Sequence, residues 1–151
     1  MATAAAASTG DRLERILSAL RAGGGRVTSS RRAVVRALLE GPQHATAEEL
    51  GSHVRTVLPD IDQSTVYRVL NVLEDVGAVH HVHLGHGAAV YHLSEDAHAH
   101  LVCDGCGAVT ELPTETFERL AGDVRRRTGY ALDRQHFSMS GTCRACQTQA
   151  G

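Results

Sequence analysis

The sequence of 151 residues contains no lysine and no tryptophan, and aromatic residues make up only 3% of it. No apolar run approaches the ~18 residues that a membrane helix needs. The N-terminal segment MATAAAASTG lacks the charged start and the long apolar core of a secretion signal. We therefore expect a cytoplasmic protein without membrane contact, which begins with a frayed tail.

The scarcity of large aromatic side chains restricts the core to Val, Leu and Ala. With 42% hydrophobic residues and a formal net charge of −2, the chain can form one compact domain or two small ones. A half-length domain with so little apolar mass is hard to stabilise alone. We therefore expect an additional cross-link in the weaker half.

Positive charge is concentrated between Arg12 and Arg36. This segment contains seven Arg and one acidic residue, Glu14, which gives a local excess of +6. Such a segment suits binding to phosphate, and the alternative is a solvated helix face in a protein that uses Arg in place of Lys. The seven are Arg12, Arg15, Arg21, Arg26, Arg31, Arg32 and Arg36.

Four stretches have the apolar spacing of amphipathic helices. The first covers residues 12–20 and ends at three glycines, and the second begins at Thr28 or Ser29 and stops at Gly41. The capping box TAEE at 46–49 opens a third helix, which includes Val57 and is closed by Pro59. The fourth begins at residue 62 or 64 and is stopped by a glycine at 77.

The apolar period then changes from helix to strand. Residues 79–84 and 88–93 alternate on either side of Gly85-His86-Gly87, which predicts a β-hairpin. Helices followed by a hairpin are typical of a winged helix-turn-helix, whose fourth helix would enter the major groove of DNA. The alternative is that its polar outer face is simply solvated. The residues expected to contact DNA are Arg31, Ser64, Thr65, Tyr67 and Arg68.

In the second half of the sequence, the apolar pattern predicts strands at 101–102 and 108–112, a helix at 114–127 and a last strand at 130–139. Its small apolar content favours association with a second copy of the chain. The fold class expected is α+β, with an N-terminal winged helix-turn-helix domain at 10–93 and a small α/β dimerisation domain at 94–151.

All four cysteines lie in two CxxC pairs, and each pair offers two thiolates to one tetrahedral Zn²⁺. Disulfides are disfavoured in a cytoplasm, and thiol redox chemistry would need one CxxC rather than two matched pairs. We therefore predict a structural zinc site, which also supplies the missing cross-link. Its ligands are Cys103, Cys106, Cys143 and Cys146.

Seven of the ten histidines lie between residues 80 and 100. His81 and His83 share one face of a strand, roughly 7 Å apart, and His98 and His100 alternate in the same way. Two such pairs favour a further metal site over isolated surface or core histidines. Imidazole and carboxylate ligands without thiolate suit Ni²⁺, Zn²⁺, Fe²⁺ or Mn²⁺. The carboxylates placed to join them are those of Asp96, Glu111 and Glu118.

Nearly the whole chain, from about residue 12 to 146, resembles the ferric uptake regulator family of bacterial metal-responsive repressors. The matching stretches are VTSSR at 27–31, STVYRVL at 64–70, VYHL at 90–93, HAHLVCDGCG at 98–107 and GTCRAC at 141–146. The hairpin HVHLGHG at 81–87 is most similar to the nickel-responsive subgroup of actinobacteria, which the Arg-only, Ala-rich composition also suits.

The resemblance implies a homodimer that binds a palindromic operator in double-stranded DNA and represses genes of metal homeostasis. Its regulatory cofactor would be Ni²⁺ or another divalent transition metal, and zinc sensing or iron and peroxide sensing are the alternatives within the family. The resemblance implies a regulatory hinge site between the domains at His44, His92, His98, His100 and Glu111, and a nickel-type site at His81, His83 and His136.

The chain departs from the family pattern at Ala97 and Ala99, which stand where the family has a denser run of histidines. This departure counts against a further sensory site that would share Glu118 and His136, and it leaves His136 for the nickel-type site. Asp96 is a candidate replacement ligand in the hinge site. A zinc-dependent enzyme is the alternative of a different class, but the sequence has no HExxH-type helix or nucleophile motif, so we expect no enzymatic activity.

Overall fold

A computed structural model describes residues 8–84, 87–96 and 98–149. Short 3-10 turns lie at Ser94–Asp96 and Arg134–His136. Within the described residues, no helix is both long enough and apolar enough to cross a bilayer. The elements in chain order are α1 (Thr9–Ala22), α2 (Ser29–Glu40), β1 (Ala45–Thr46), α3 (Ala47–Arg55), α4 (Gln63–Asp75), β2 (Val79–His83), β3 (Ala89–Leu93), β4 (Ala99–Cys103), β5 (Val109–Leu112), α5 (Thr114–Thr128), β6 (Ser138–Gly141) and α6 (Arg144–Gln149).

Side-chain caps fix where the first three helices begin. Ser8 caps α1 in a capping box with Asp11, and the Thr28 hydroxyl accepts a hydrogen bond from the backbone N–H of Arg31 at the start of α2. The predicted capping box at the start of α3 is confirmed. The frayed tail was predicted over residues 1–10. Its last residues contradict that prediction, because Thr9 and Gly10 already lie in α1, and residues 1–7 lie outside the described range.

The end of α3 differs from the prediction. The helix stops at Arg55, and the N–H of Thr56 turns back to the carbonyls of His53 and Val54. Val57 therefore lies beyond the helix, with 67% of its surface exposed, and does not join the buried stripe. The apolar spacing that suggested a longer helix continues by coincidence into the loop before Pro59.

The described chain forms two compact units. One contains α1 to α4, runs to His80 and takes in Tyr91–Glu95, and the other combines His81–Val90 with the chain from Asp96 onward. Both hairpin strands therefore contribute residues to each unit. The domain limits 10–93 and 94–151 stay predictions. They differ from the division into these two units at the hairpin, which the predicted limits assign to the first domain. The predicted turn of this hairpin lies partly outside the described residues, at 85–86.

In the first unit, the core is built from the predicted apolar stripes. Leu17, Val34, Val66 and Leu70 are fully buried. The strands β1, β3 and β2 form a three-stranded sheet in that order, and the residues of its two hairpin strands are divided between the units. The two-residue edge strand β1 was not predicted. Helices followed by this small sheet confirm the helical N-terminal half of the expected α+β fold.

The second unit contains a three-stranded sheet in the order β5-β4-β6 together with α5 and α6. β4 pairs antiparallel with β5 and parallel with β6. Among the described residues, one buried cluster of this unit consists of Ala99, Leu112 and Phe117, which are few, as the composition predicts. Half-buried side chains pack around that cluster, namely Leu101, Ala121, Leu132 and Phe137.

The predicted last strand at 130–139 is wrong over most of its length, because the strand comprises only Ser138–Gly141. Asp133 Oδ1 accepts a hydrogen bond from the backbone N–H of Gln135 (2.9 Å) and so starts a 3-10 turn instead. The phenyl ring of Phe137 packs edge-on against Phe117, with ring centroids 5.2 Å apart. The helix α6 was not predicted.

Candidate metal sites and nucleic-acid interface

The parallel pairing of β4 with β6 brings the two CxxC pairs together. Cys103 ends β4 and pairs in register with Gly141, and the next N–H, that of Asp104, donates to the Gly141 carbonyl (2.8 Å). The second pair follows directly, with Cys143 two residues past β6 and Cys146 in α6. All four Sγ atoms lie within 4.8 Å of one another.

The spacing of these sulfurs fits a zinc ion. A tetrahedral site with Zn–S bonds of about 2.3 Å requires sulfur atoms about 3.8 Å apart. The Sγ atoms of Cys106 and Cys143 are 3.8 Å apart. Gly105 makes room for the cluster, since a Cβ there would lie 3.0 Å from the Sγ of Cys146.

Hydrogen bonds and neighbouring thiols move the pKa values within the cluster in opposite directions. The backbone N–H of Cys143, followed by that of Cys106, lowers the pKa of the Cys103 thiol to about 6. Side-chain hydrogen bonds with Cys143, Cys106 and Cys103 raise the pKa of the Cys146 thiol to about 12. The four sulfurs therefore do not all ionise at neutral pH without a cation, whereas a divalent cation bound between them would favour the thiolate form of each.

The three histidines predicted for the nickel-type site belong to the second unit, where the ring of His81 neighbours both of the others. The ring centroid of His81 is 5.7 Å from that of His83 and 6.2 Å from that of His136. Two imidazoles that share an ion at N–metal distances of about 2 Å have centroids about 4.5 to 6.4 Å apart, depending on the angle at the metal. A hydrogen bond from Ser138 Oγ to the His83 carbonyl (3.2 Å) also joins the hairpin to the chain near His136.

The residues predicted for the hinge site fall into two groups, one in each unit. In the second unit, the rings of His98 and His100 have centroids 4.5 Å apart, and His100 pairs in register with Glu111 across β4 and β5. His98 Nδ1 lies 2.6 Å from the carbonyl oxygen of Asp96, which only accepts, so Nδ1 carries a hydrogen. His98 Nε2 then lies 3.4 Å from Glu111 Oε1. A metal ion about 2.1 Å from each of these two atoms would fit this separation.

In the first unit, His44 and His92 lie close together, with ring centroids 6.1 Å apart. The structure adds His80, which is buried and has its ring centroid 5.1 Å from that of His92. The Ser94 hydroxyl donates to the Gly77 carbonyl (2.6 Å) and therefore accepts from His80 Nδ1 (3.3 Å). Sequence reasoning missed His80, although its alternation with the buried Val82 on β2 was a usable signal.

The predicted DNA-contacting residues of α4 lie on its outer face. Ser64 and Arg68 are exposed and Thr65 is half-buried. Tyr67 is 39% exposed, and its hydroxyl donates to Glu48 Oε1 on α3 (2.6 Å). This hydrogen bond lowers the pKa of the Glu48 carboxyl and raises the pKa of the Tyr67 phenol. The contact holds the tyrosine ring against the neighbouring helix.

The N-terminal arginine segment is less positive than its sequence indicates. Arg12 and Arg15 form ion pairs with Glu95, which lies far along the chain. Glu14 forms ion pairs with Arg21 and Arg32. The predicted excess of +6 already counts Glu14, so the additional charge that offsets it is that of Glu95. Arg31, predicted to contact DNA, donates from Nη1 to the carbonyl of Arg26 (2.6 Å) and so lies against the loop before α2.

Comparison with known proteins places this arrangement in a family. The sequence profile of the ferric uptake regulator family matches residues 22–140. The peroxide-responsive repressor PerR of Staphylococcus aureus is 26% identical over 135 residues, which cover 89% of this chain and 91% of that protein.

Solved structures of ferric and zinc uptake regulators are also similar to this chain. The ferric uptake regulator of Vibrio cholerae is 33% identical with a TM-score of 0.67, covering 84% of this chain and 98% of that one. A zinc uptake regulator complexed with zinc and DNA is 27% identical with a TM-score of 0.62, covering 96% of this chain and 99% of that one. The profile match spans well over half of the sequence, and this chain therefore belongs to the ferric uptake regulator family.

Proposed function

We propose that this protein is a DNA-binding transcriptional repressor with a divalent metal ion as corepressor, and that this ion is nickel. The observation that carries the nickel proposal is the position of the His81 ring, whose centroid lies 5.7 Å from that of His83 and 6.2 Å from that of His136. These ligands are imidazoles without a thiolate, a set that suits Ni²⁺.

The divalent affinity order favours nickel over two of its competitors. An imidazole site binds Ni²⁺ more strongly than Fe²⁺ or Mn²⁺. The affinity order does not separate Ni²⁺ from Zn²⁺. Coordination geometry does, because Zn²⁺ prefers a tetrahedral site and Ni²⁺ accepts a square-planar or octahedral one. His81 and His83 belong to β2, and His136 ends the 3-10 turn before β6. If these three residues hold one ion, they would link the hairpin to the chain just before β6.

DNA binding is the second part of the proposal. We infer that Ser64, Thr65, Tyr67 and Arg68 contact the major groove, with Arg31 at the phosphates. The relative solved as a complex with zinc and DNA supports this role, and the repressor and regulator names of the relatives support a protein without enzymatic activity. A homodimer with two α4 helices would bind a palindromic operator.

Further metal ions complete the proposal. We propose structural zinc at the four cysteines, on the basis of the 3.8 Å sulfur spacing. The hinge-site residues His44, His92, His98, His100 and Glu111 stay a prediction, and we propose them as ligands of a second regulatory ion. By linkage, a metal ion that raises the affinity for DNA must bind more tightly when DNA is present.

A zinc-sensing or iron- and peroxide-sensing repressor is the second candidate. The observation in its favour is the pairing of His98 with Glu111, because a carboxylate beside an imidazole suits Fe²⁺ and Mn²⁺. The Staphylococcus aureus relative is named a peroxide-responsive repressor, which supports the same alternative.

A DNA-binding titration against Ni²⁺, Zn²⁺, Fe²⁺ and Mn²⁺ tests the proposal, with the metal of the four-cysteine cluster left in place. The probe is an operator selected from random DNA by the metal-loaded protein, at physiological salt. We expect Ni²⁺ to increase DNA affinity at the lowest free concentration. A metal-loaded protein that binds DNA no better than the metal-free protein would contradict the regulatory function, and a stronger response to Zn²⁺ or Fe²⁺ would favour the second candidate.

A further inference from the structure

We propose that Asp133 is a positioning residue for metal binding, which fixes the tautomer of His136 and makes Nε2 the nitrogen that His136 offers to the ion. The proposal rests on the nickel-type site proposed above. Asp133 was not among the predicted site residues, and it lies three positions before His136 in the turn that replaces the expected strand.

Both oxygens of the Asp133 carboxylate are engaged, each with a different partner. Oδ1 accepts the backbone N–H of Gln135 (2.9 Å), and Oδ2 lies 2.6 Å from Nδ1 of His136. The first hydrogen bond belongs to the 3-10 turn itself, so the turn orients the carboxylate before any metal binds. The second oxygen is thereby held in place beside the imidazole.

This contact decides which ring nitrogen is available. An ionised carboxylate only accepts hydrogen bonds, so the hydrogen of a neutral His136 ring must sit on Nδ1. The lone pair is then on Nε2. The ring centroid of His136 lies 6.2 Å from that of His81, a separation that two ligands of one ion can have.

The carboxylate has a further effect on the strength of the ligand. A metal-binding histidine commonly donates its other N–H to a carboxylate, which fixes the ring and makes the binding nitrogen more basic, and loss of this partner weakens metal binding about 10- to 100-fold. The Asp133 and His136 side chains are 60% and 52% exposed, so we expect the effect at the lower end of this range.

Asp133→Asn is the informative substitution. The asparagine oxygen can keep the bond to the Gln135 N–H, but its NH₂ group then faces His136 Nδ1, which must accept instead of donate. The ring hydrogen moves to Nε2, and the nitrogen offered to the metal is blocked. Asp123→Asn is the matched control, because it makes the same substitution and removes the same charge in an exposed ion pair with Arg126 on α5, which does not include His136.

The experiment has two readouts on the full chain, with the four-cysteine metal retained. Long-range ¹H–¹⁵N NMR at about pH 8, where imidazoles are neutral, reports the His136 tautomer without regulatory metal, and His136→Gln assigns the signal. We expect the Nδ1–H form in the wild type and in Asp123→Asn, and the Nε2–H form in Asp133→Asn. Calorimetric titration with Ni²⁺ should show affinity reduced about tenfold in Asp133→Asn and unchanged in Asp123→Asn.

The outcomes separate the inference from the function beneath it. If His136→Gln weakens Ni²⁺ binding but Asp133→Asn does not, the role of Asp133 is overturned and the nickel-type site stands. A wild-type protein with the Nε2–H tautomer overturns the inference as well. If His136→Gln binds Ni²⁺ as the wild type does, the proposed nickel-type site fails, and the ligand role of His136 fails with it.

Discussion

Each cysteine sulfur is indispensable if the cluster is a tetrahedral zinc site, because three ligands leave one position open. We expect Cys103→Ser and Cys143→Ser each to lose about one zinc ion per chain and to lower the melting temperature, since zinc binding also stabilises the folded unit. Elemental analysis of the purified variants measures the zinc, and thermal unfolding measures the stability.

Asp104→Asn is the control for these variants, because Asp104 lies inside the first CxxC pair but contributes no sulfur. It should retain the zinc content of the wild type. Full zinc content in both serine variants would contradict the four-cysteine site.

Tyr67 on α4 and Arg31 on α2 are expected to play different parts in DNA binding. Arg31→Ala should weaken binding to all sequences and reduce the salt slope by about 1, as the loss of one phosphate contact does. Tyr67→Ala should reduce the preference for the selected operator about tenfold, because an aromatic ring can contact a thymine methyl group. Fluorescence anisotropy at several salt concentrations measures both effects.

Tyr67→Phe separates the ring from the hydroxyl. It retains the ring and loses only the hydrogen bond to Glu48. We expect it to keep most of the operator preference that Tyr67→Ala loses. Equal loss in the two variants would instead assign the preference to the hydroxyl and its contact with α3.

Among the elements, α3 depends on its capping box for a defined start. The Thr46 hydroxyl accepts from the N–H of Glu49 (3.2 Å), and the Glu49 carboxylate accepts from the N–H of Thr46 (2.7 Å). We expect Thr46→Ala to lower the free energy of unfolding by about 1 kcal/mol, measured by urea denaturation. Ser52→Ala in the same helix is the control, since alanine is the better helix former there, and an equal loss in both variants would argue against the cap.

Local patterns predicted the elements well where local interactions define them. The sequence TAEE predicted where α3 begins. Gly77, which has a positive φ, was predicted to stop α4 and lies just after its end. The strand expected at 130–139 failed because the Asp133 side chain competes with strand pairing and Phe137 turns into the small core. The two-residue strand β1 has too few residues for any alternation to be visible.

At the candidate sites, spacing within the sequence predicted the cysteine pairs because a CxxC knuckle is local. Contacts across the fold could not be found in this way. Glu95 pairs with Arg12, 83 residues away, and no sequence pattern connects them. The neighbours of His80 likewise depend on which residue of the next strand lies opposite.

At the scale of the whole molecule, the hairpin histidines should couple nickel to DNA binding. The variant that carries both His81→Ala and His83→Ala is expected to keep its fold and its four-cysteine zinc, yet to lose the increase in DNA affinity caused by Ni²⁺. The ratio of DNA affinities with and without Ni²⁺ measures the coupling. His53→Ala, at an exposed histidine of α3, is the matched control and should retain the full ratio.

A full nickel response in the double variant would assign a different role to these residues, such as contact of the hairpin with DNA phosphate. It would also move metal sensing to His44, His92, His98 and His100 and favour the zinc or iron alternative.

The parallel pairing of β4 with β6 also governs how the second unit comes apart. Cys106 and Cys143 are 37 positions apart, so an ion held by both closes a long loop through β5 and α5. Closing a loop of this length removes chain entropy worth about 4 kcal/mol from the unfolded state, if the ion acts as a covalent link does. Because the ligands of such an ion follow the ends of β4 and β6, a bound ion would oppose separation of these two strands. Cys106 is exposed, so a chelator that removes the ion should loosen the parallel pair without prior unfolding of the unit.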